Sequence, residues 1–220
     1  YMYIIYMSDT YYKFSNVYQI PNVSTGLGFN NIAINDKGNN IYLFPGLKDK
    51  GPIYISNTSG KSWYKSDIES AGGLTPVVIN STGTIVYAND NSKIRMNYKS
   101  GKGSWSKASN TEYGFINYIT TNASGKSVYI INLKSEIYTN NNYGKSNWNF
   151  SYKASEEVLT SITTNGKGNI IYAGTGSGNI YKNYKSGYKG SWKKSNISNI
   201  GLSSIETSES GKNVYVSNGG

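Results

Sequence analysis

The chain alternates short apolar runs with polar turns centred on Gly, and the alternation repeats. Gly38, Gly83, Gly125, Gly168 and Gly211 lie 45, 42, 43 and 43 residues apart. Four positions after each stands a Tyr between two apolar residues: Tyr42, Tyr87, Tyr129, Tyr172 and Tyr215. Three positions before each stands Asn35, Asn80, Asn122, Asn165 or Ser208. An apolar run, a polar residue, a Gly turn and a second apolar run predict a β-hairpin. A second hairpin follows in each unit. It opens at Ile53-Tyr54-Ile55-Ser56, Ile94-Arg95-Met96-Asn97, Ile137-Tyr138-Thr139-Asn140 and Ile180-Tyr181-Lys182-Asn183. It turns at Gly60, Gly101, Gly144 or Gly187 and then reaches Trp63, Trp105, Trp148 or Trp192, so all four Trp occupy one repeat position.

The two ends complement one another. Ile5-Tyr6-Met7-Ser8 matches the opening of the second hairpin, and Phe14 falls near the Trp position. The last segment, Ser204 to Ser217, matches a first hairpin. Units of about 43 residues with four short strands each have the length of a β-propeller blade. The expected fold is therefore all-β: one domain over 1–220, a five-bladed β-propeller. Its blades span about 31–67, 74–108, 116–152, 160–195, and 203–217 joined to 3–15. N-terminal strands 3 and 4 pairing with C-terminal strands 1 and 2 close the ring and remove its exposed edges.

The segment Ser56-Asn57-Thr58-Ser59-Gly60-Lys61-Ser62-Trp63 resembles the Asp-box, or BNR repeat, of sialidases, sortilin-type receptors and photosystem assembly factors. The resemblance covers the chain at blade level. It implies a propeller whose box forms the turn between strands 3 and 4, with the Trp packed into the blade. The Asp position carries Thr58, Lys99, Asn142 and Lys185 here, and extra residues precede Trp105 and Trp192 in their boxes. The box is a folding device, so Gly60, Gly101, Gly144, Gly187 and the four Trp are read as structural. The Tyr column is read as packing between blades.

Composition narrows the chemistry. There is no Cys and no His, which removes disulfides, thiol catalysis, Cys-plus-His zinc sites and Ser-His-Asp triads. A single Arg, Arg95, cannot supply the three-Arg carboxylate clamp of a sialidase. The innermost-strand column is Ala33, Val78, Thr120, Thr163 and Glu206, so it offers one carboxylate where glycoside hydrolysis uses a pair. Glu206 is a candidate for binding a cation or water, or for centring a less favoured hydrolase. No catalytic residue, metal site or cofactor is expected. No run of about 18 apolar residues occurs, so no membrane insertion is expected.

The formal net charge is +10. Placed on a propeller, Lys61, Lys99, Lys102, Lys145, Lys185 and Lys189 fall on the face of the 1–2 and 3–4 turns. The opposite face gathers Glu136, Glu156 and Glu157. The basic face is a candidate for an acidic surface or polyanion, without sequence-specific nucleic-acid reading, since lone Lys charges do not read bases. The long 4–1 connections place Tyr18, Tyr113, Phe115 and Tyr152 near the other face. These rings could form shallow sugar sites, by analogy of architecture with five-bladed tachylectin-type lectins. The leading expectation is a non-catalytic binding or structural module docking onto another protein or a large assembly. A virion or cell-surface location suits the composition. A multivalent lectin using the 4–1 loops is the alternative.

Overall fold

The structure, a computed structural model, describes residues 3–8, 11–19, 29–45, 51–70, 77–90, 93–108, 113–196 and 201–218. Every regular element among them is a β-strand. The hairpin β1 (Tyr3–Ser8) and β2 (Tyr11–Gln19) forms a two-stranded sheet. Four antiparallel four-stranded sheets follow, here called blades 1 to 4. Blade 1 holds β3 (Phe29–Ile34), β4 (Ile41–Pro45), β5 (Gly51–Ser56) and β6 (Tyr64–Ser70). Blade 2 holds β7 (Val77–Ile79), β8 (Val86–Asp90), β9 (Lys93–Asn97) and β10 (Ser106–Lys107). Blade 3 holds β11 (Ile116–Thr121), β12 (Val128–Asn132), β13 (Glu136–Asn140) and β14 (Asn149–Lys153). Blade 4 holds β15 (Leu159–Thr164), β16 (Ile171–Thr175), β17 (Asn179–Asn183) and β18 (Trp192–Asn196). The hairpin β19 (Leu202–Thr207) and β20 (Val214–Asn218) ends the described chain as a second two-stranded sheet.

Within a blade the strands pair in chain order, as the hairpin pattern requires. The Asn column explains the tight first turn. The side-chain Oδ1 of Asn35, Asn80, Asn122 and Asn165 accepts the backbone N–H of Asn40, Ile85, Ser127 and Ile170 at 2.9 to 3.0 Å. This is the local Asn-to-backbone bonding that competes with regular pairing and fixes a reversal. The second turn is held by the residue at the first box position. Oδ1 of Asn140 accepts the N–H of Asn142 at 2.9 Å and of Gly144 at 2.8 Å, while its Nδ2 donates to the Ser146 carbonyl at 2.8 Å. Asn97 and Asn183 repeat this arrangement. In blade 1, Ser56 takes the first role, and Thr58 Oγ1 accepts the Ser62 N–H at 2.9 Å. An Asn therefore does alone what Ser56 and Thr58 divide, and the Asp position is free to become Lys.

The core lies between blades. Tyr42, Phe44, Ile53 and Ile55 of blade 1 pack with Val77, Val86, Ala88 and Trp105 of blade 2. Blades 2 and 3 meet through Tyr87, Ile94 and Met96 against Ile116, Val128, Ile130 and Trp148. Blades 3 and 4 meet through Tyr129, Ile131 and Ile137 against Ile162, Ile171 and Tyr181. Trp105, Trp148 and Trp192 thus sit in cores shared by two blades, while Trp63 packs with Phe29, Leu43 and Tyr54 of its own blade. For those first three, expecting the Trp to fill its own blade missed that a single sheet has no interior of its own.

Two ladders cross every one of these boundaries. The hydroxyls of Tyr42, Tyr87, Tyr129 and Tyr172 donate to the carbonyls of Gly83, Gly125, Gly168 and Gly211, the turn glycines of the following unit, at 3.3, 2.5, 2.5 and 3.0 Å. Beside them, the N–H groups of Asp36, Ser81, Ala123 and Gly166 donate to the carbonyls of Ser81, Ala123, Gly166 and Glu209 at 2.8 to 3.1 Å. The 3–4 turns add a third link. Gly144 has φ +74°, and a Cβ there would collide with Met96 Sδ of the preceding blade. Only Gly meets both demands.

Candidate interaction surfaces

The first strands of all four blades and β19 surround a cavity of about 490 Å³. Asn31, Ala33, Val78, Thr120, Ser161, Ser204 and Glu206 are among its lining residues. Thr163 Oγ1 donates to Glu206 Oε2 at 3.2 Å. Burial raises the Glu206 carboxyl above its usual range, and the Thr163 bond opposes that rise. Among the described residues, no second carboxylate lines the cavity beside Glu206, and no group of three Asp or Glu gathers to hold a metal ion.

On the face of the 2–3 turns and 4–1 connections, two carboxylates are tied to their surroundings. Glu157 accepts from Ser177 Oγ at 2.8 Å, Tyr181 hydroxyl at 2.6 Å, Lys194 Nζ at 3.1 Å, and Asn179 Nδ2. Burial pushes its carboxyl up, but the donated hydrogen bonds outweigh that and hold it at about 2. Glu136 is lowered chiefly by the Asn132 amide at 2.8 Å, against partial burial, with Tyr138 and Lys153 adding to the fall. These bonds pin the loop and turn to their blades.

The sequence-expected aromatic positions separate here. Tyr113 packs on Tyr138 at 4.4 Å and lies 6.3 Å from Trp148. Tyr152, in β14 and outside any loop, packs on Tyr181 at 5.0 Å and Trp192 at 5.5 Å. Both rings are spent on packing. Tyr18 belongs to β2, opposite Ile4, and so is a strand residue where a loop was expected; its side chain lies outside the described residues. So do connections 20–28, 71–76 and 197–200. Phe115 is 63% exposed and stands out from the surface.

The exposed large apolar side chains among the described residues form three groups. The first is Phe115, Leu133 and Val158, at 63%, 60% and 67% exposure on the 4–1 face. The Leu133 N–H donates to the Phe115 carbonyl at 3.0 Å. The Leu133 turn is joined to the segment around Val158 by Ala154 N–H to Ser135 carbonyl and Leu159 N–H to Ser135 Oγ, each 3.1 Å. Sequence reasoning found Phe115 and missed Leu133 and Val158. A Leu at the tip of the polar turn Asn132-Leu133-Lys134-Ser135 was the available signal.

The second group is Phe150, Tyr184 and Tyr188, on the face of the 3–4 turns. Backbone bonds join each 3–4 turn to the 1–2 turn of its own blade, as in Tyr143 N–H to Lys126 carbonyl at 2.9 Å, so both turns share one face. Lys61, Lys99, Lys102, Lys145, Lys185 and Lys189 are all exposed there. Lys145 Nζ sits 4.7 Å from the Tyr98 ring centre. The third group is Ile32, Ile34, Tyr215 and Val216, on blade 1 and the last hairpin.

No family model matches the chain, and no curated protein matches it. Solved structures do. A protein in the crystal structure of a nidogen/laminin complex is 13% identical with a TM-score of 0.67, over 87% of this chain and 72% of that one. YCF48 bound to D1 peptide is 14% identical with a TM-score of 0.63, over 92% of this chain and 65% of that one. The β-propeller domain of Myceliophthora thermophila Cps50 (Swd1) is 11% identical with a TM-score of 0.63, over 87% and 64%. An ancestral GH74 enzyme is 15% identical with a TM-score of 0.67, over 88% of this chain and 28% of that one. The chain therefore spans about two thirds of the length of the YCF48 and Swd1 chains and under a third of that GH74 enzyme. At these identities the likeness shows the fold, a β-propeller, and nothing finer.

Proposed function

We propose that the chain is a non-catalytic β-propeller that docks a protein partner through the rim of Phe115, Leu133 and Val158. The observation that carries this reading is three large apolar side chains exposed together on connections pinned to rigid sheets. Clustered apolar exposure on loops held by a scaffold is the usual mark of a protein interface. Two neighbours support it in kind, having been solved with laminin and with a D1 peptide. The sugar-binding alternative has less behind it, since the Tyr113 and Tyr152 rings are used in packing. A photo-crosslinking residue at Leu133 tests the reading in producing cells. A discrete protein adduct is expected from that site, none from Lys107, and weaker capture in Phe115→Ser. Equal adducts from both sites would overturn the reading.

We also propose that the ring has five blades, with β1 and β2 laid against β20. The third exposed group supports this. Ile32 is 44% exposed, whereas its repeat-mates Val77, Ile119, Ile162 and Ile205 are at most 7% exposed. Both unfilled surfaces thus sit where the two ends of the ring would meet. Closure would give the Tyr215 hydroxyl the Gly38 carbonyl and the Glu209 N–H the Asp36 carbonyl, continuing both ladders by one step.

A further inference from the structure

We propose that the groove between blades 3 and 4, on the lysine-bearing face, is a second docking site that takes an extended acidic protein segment carrying an apolar side chain. The groove has a volume of about 370 Å³ and is lined by Thr139, Asn149, Phe150, Lys185, Tyr188 and Lys189, among others. That is room for a few side chains. No Asp or Glu lines it, so its two ammonium groups meet no carboxylate inside the groove. Tyr188 is 71% exposed and Phe150 39%. The Lys189 Nζ lies 5.5 Å from the Phe150 ring centre, which sets a cation beside an apolar platform.

The wall of the groove selects a peptide over a polysaccharide. Asn149 and Phe150 belong to β14, the outermost strand of blade 3, and no strand pairs with its outer edge among the described residues. An extended peptide adds main-chain hydrogen bonds along such an edge while its side chains reach alternate pockets. A sugar chain has no such ladder to offer. Carboxylates on the peptide would meet Lys185 and Lys189, which gives both charge complementarity and faster encounter.

The repeat supplies its own comparison. A groove of about 310 Å³ lies between blades 1 and 2, lined by Tyr64, Lys65, Asp67, Gly101 and Lys102, with Ser66 and Gly103. There Asp67 offsets the lysines, and the Tyr64 hydroxyl is engaged, accepting from Asn57 at 2.9 Å and donating to the Ser100 carbonyl at 2.9 Å. The shape recurs, but the charge and the free aromatic surface do not.

The test uses a fluorescein-labelled Glu-rich peptide with one central Phe, read by anisotropy at low and physiological salt. The whole chain is used, and melting curves confirm that each variant folds. Saturable binding is expected, weakened about tenfold by K185E/K189E. Phe150→Ala is expected to weaken it with the salt dependence unchanged, and K65E/K102E at the other groove to leave it intact. Leu133→Lys is also expected to bind the probe normally, which separates this site from the rim on the other face. Three results would overturn the proposal: equal weakening by K65E/K102E, binding of a heparin oligosaccharide in place of the peptide, or binding of neither.

Discussion

Tyr129 and Tyr215 occupy the same position of the same repeat and meet opposite environments. Tyr129 is fully buried and its hydroxyl donates to the Gly168 carbonyl of the next blade. Tyr215 is 62% exposed. Gly168 and Gly38, the glycine that Tyr215 would address in the proposed closed ring, differ in the same way. A Cβ on Gly168 would crowd Asn122 and Ser127, whereas one on Gly38 would meet nothing within 4 Å. The strands and turns are alike at both places, so local sequence makes the hairpin. Burial comes from the neighbouring unit. In this architecture the stabilising step is the docking of one blade on another, and a repeat position has no fixed energetic worth until its neighbour is named.

The largest effect that sharpens this comparison is Tyr129→Ala. Removing a buried aromatic side chain should cost about 3–5 kcal/mol, read from chemical denaturation. Tyr215→Ala should cost a similar amount in a closed ring, and no more than about 0.5 kcal/mol if that surface stays exposed. Next comes Asn140→Ala, which leaves the Asn142 and Gly144 N–H groups and the Ser146 carbonyl without their side-chain partner. It should cost about 2 kcal/mol. Asn140→Ser should recover part of this, because Ser56 performs half of the same role in blade 1.

Smaller effects come from titration, and their signs differ at the two ends of the pH scale. Glu157 is held at about 2, below the usual carboxyl range. Its contribution is present above the unfolded value of about 4.3 and is lost as pH falls toward 2. Glu157→Gln should therefore flatten the acid limb of a stability–pH curve. Burial pushes the Tyr129 hydroxyl up to about 12, and Tyr42 and Tyr87 rise for the same leading reason. The Tyr129 contribution is complete below the unfolded value of about 10 and is lost as pH climbs through 12, and the loss from Tyr42 and Tyr87 comes at still higher pH. Tyr129→Phe should lower stability by about 1 kcal/mol at neutral pH and weaken that alkaline loss.

Much of the fold was legible because the repeat is written in residues with narrow roles. The Gly column marks turns, the Asn column caps them, and the Tyr and Trp columns mark the packed faces. The direction of packing was less legible. Nothing in a single unit says that Trp148 shares a core with Ile94 and Met96 of the preceding blade. The degenerate boxes were legible as turns, but not the physical substitution behind them, in which Asn97, Asn140 and Asn183 take over bonds that the Asp position would make. The surfaces were the least legible. Tyr113 and Tyr152 look like platforms in a sequence, and tertiary packing on Trp148 and Trp192 decides otherwise. Leu133 and Val158 show their importance only once the fold brings their two connections together.

The central claim is that every blade boundary, including the one that the proposed ring closure makes, is built the same way. Amide hydrogen exchange at Glu209 tests it most directly, with Gly166 as the internal standard. Gly166 donates its N–H to the next unit at 2.8 Å, and a closed ring gives the Glu209 N–H the same bond to Asp36. The account predicts protection at Glu209 within about tenfold of that at Gly166, a difference of about 1.4 kcal/mol in opening free energy. Exchange at Glu209 as fast as at an unstructured amide would contradict it.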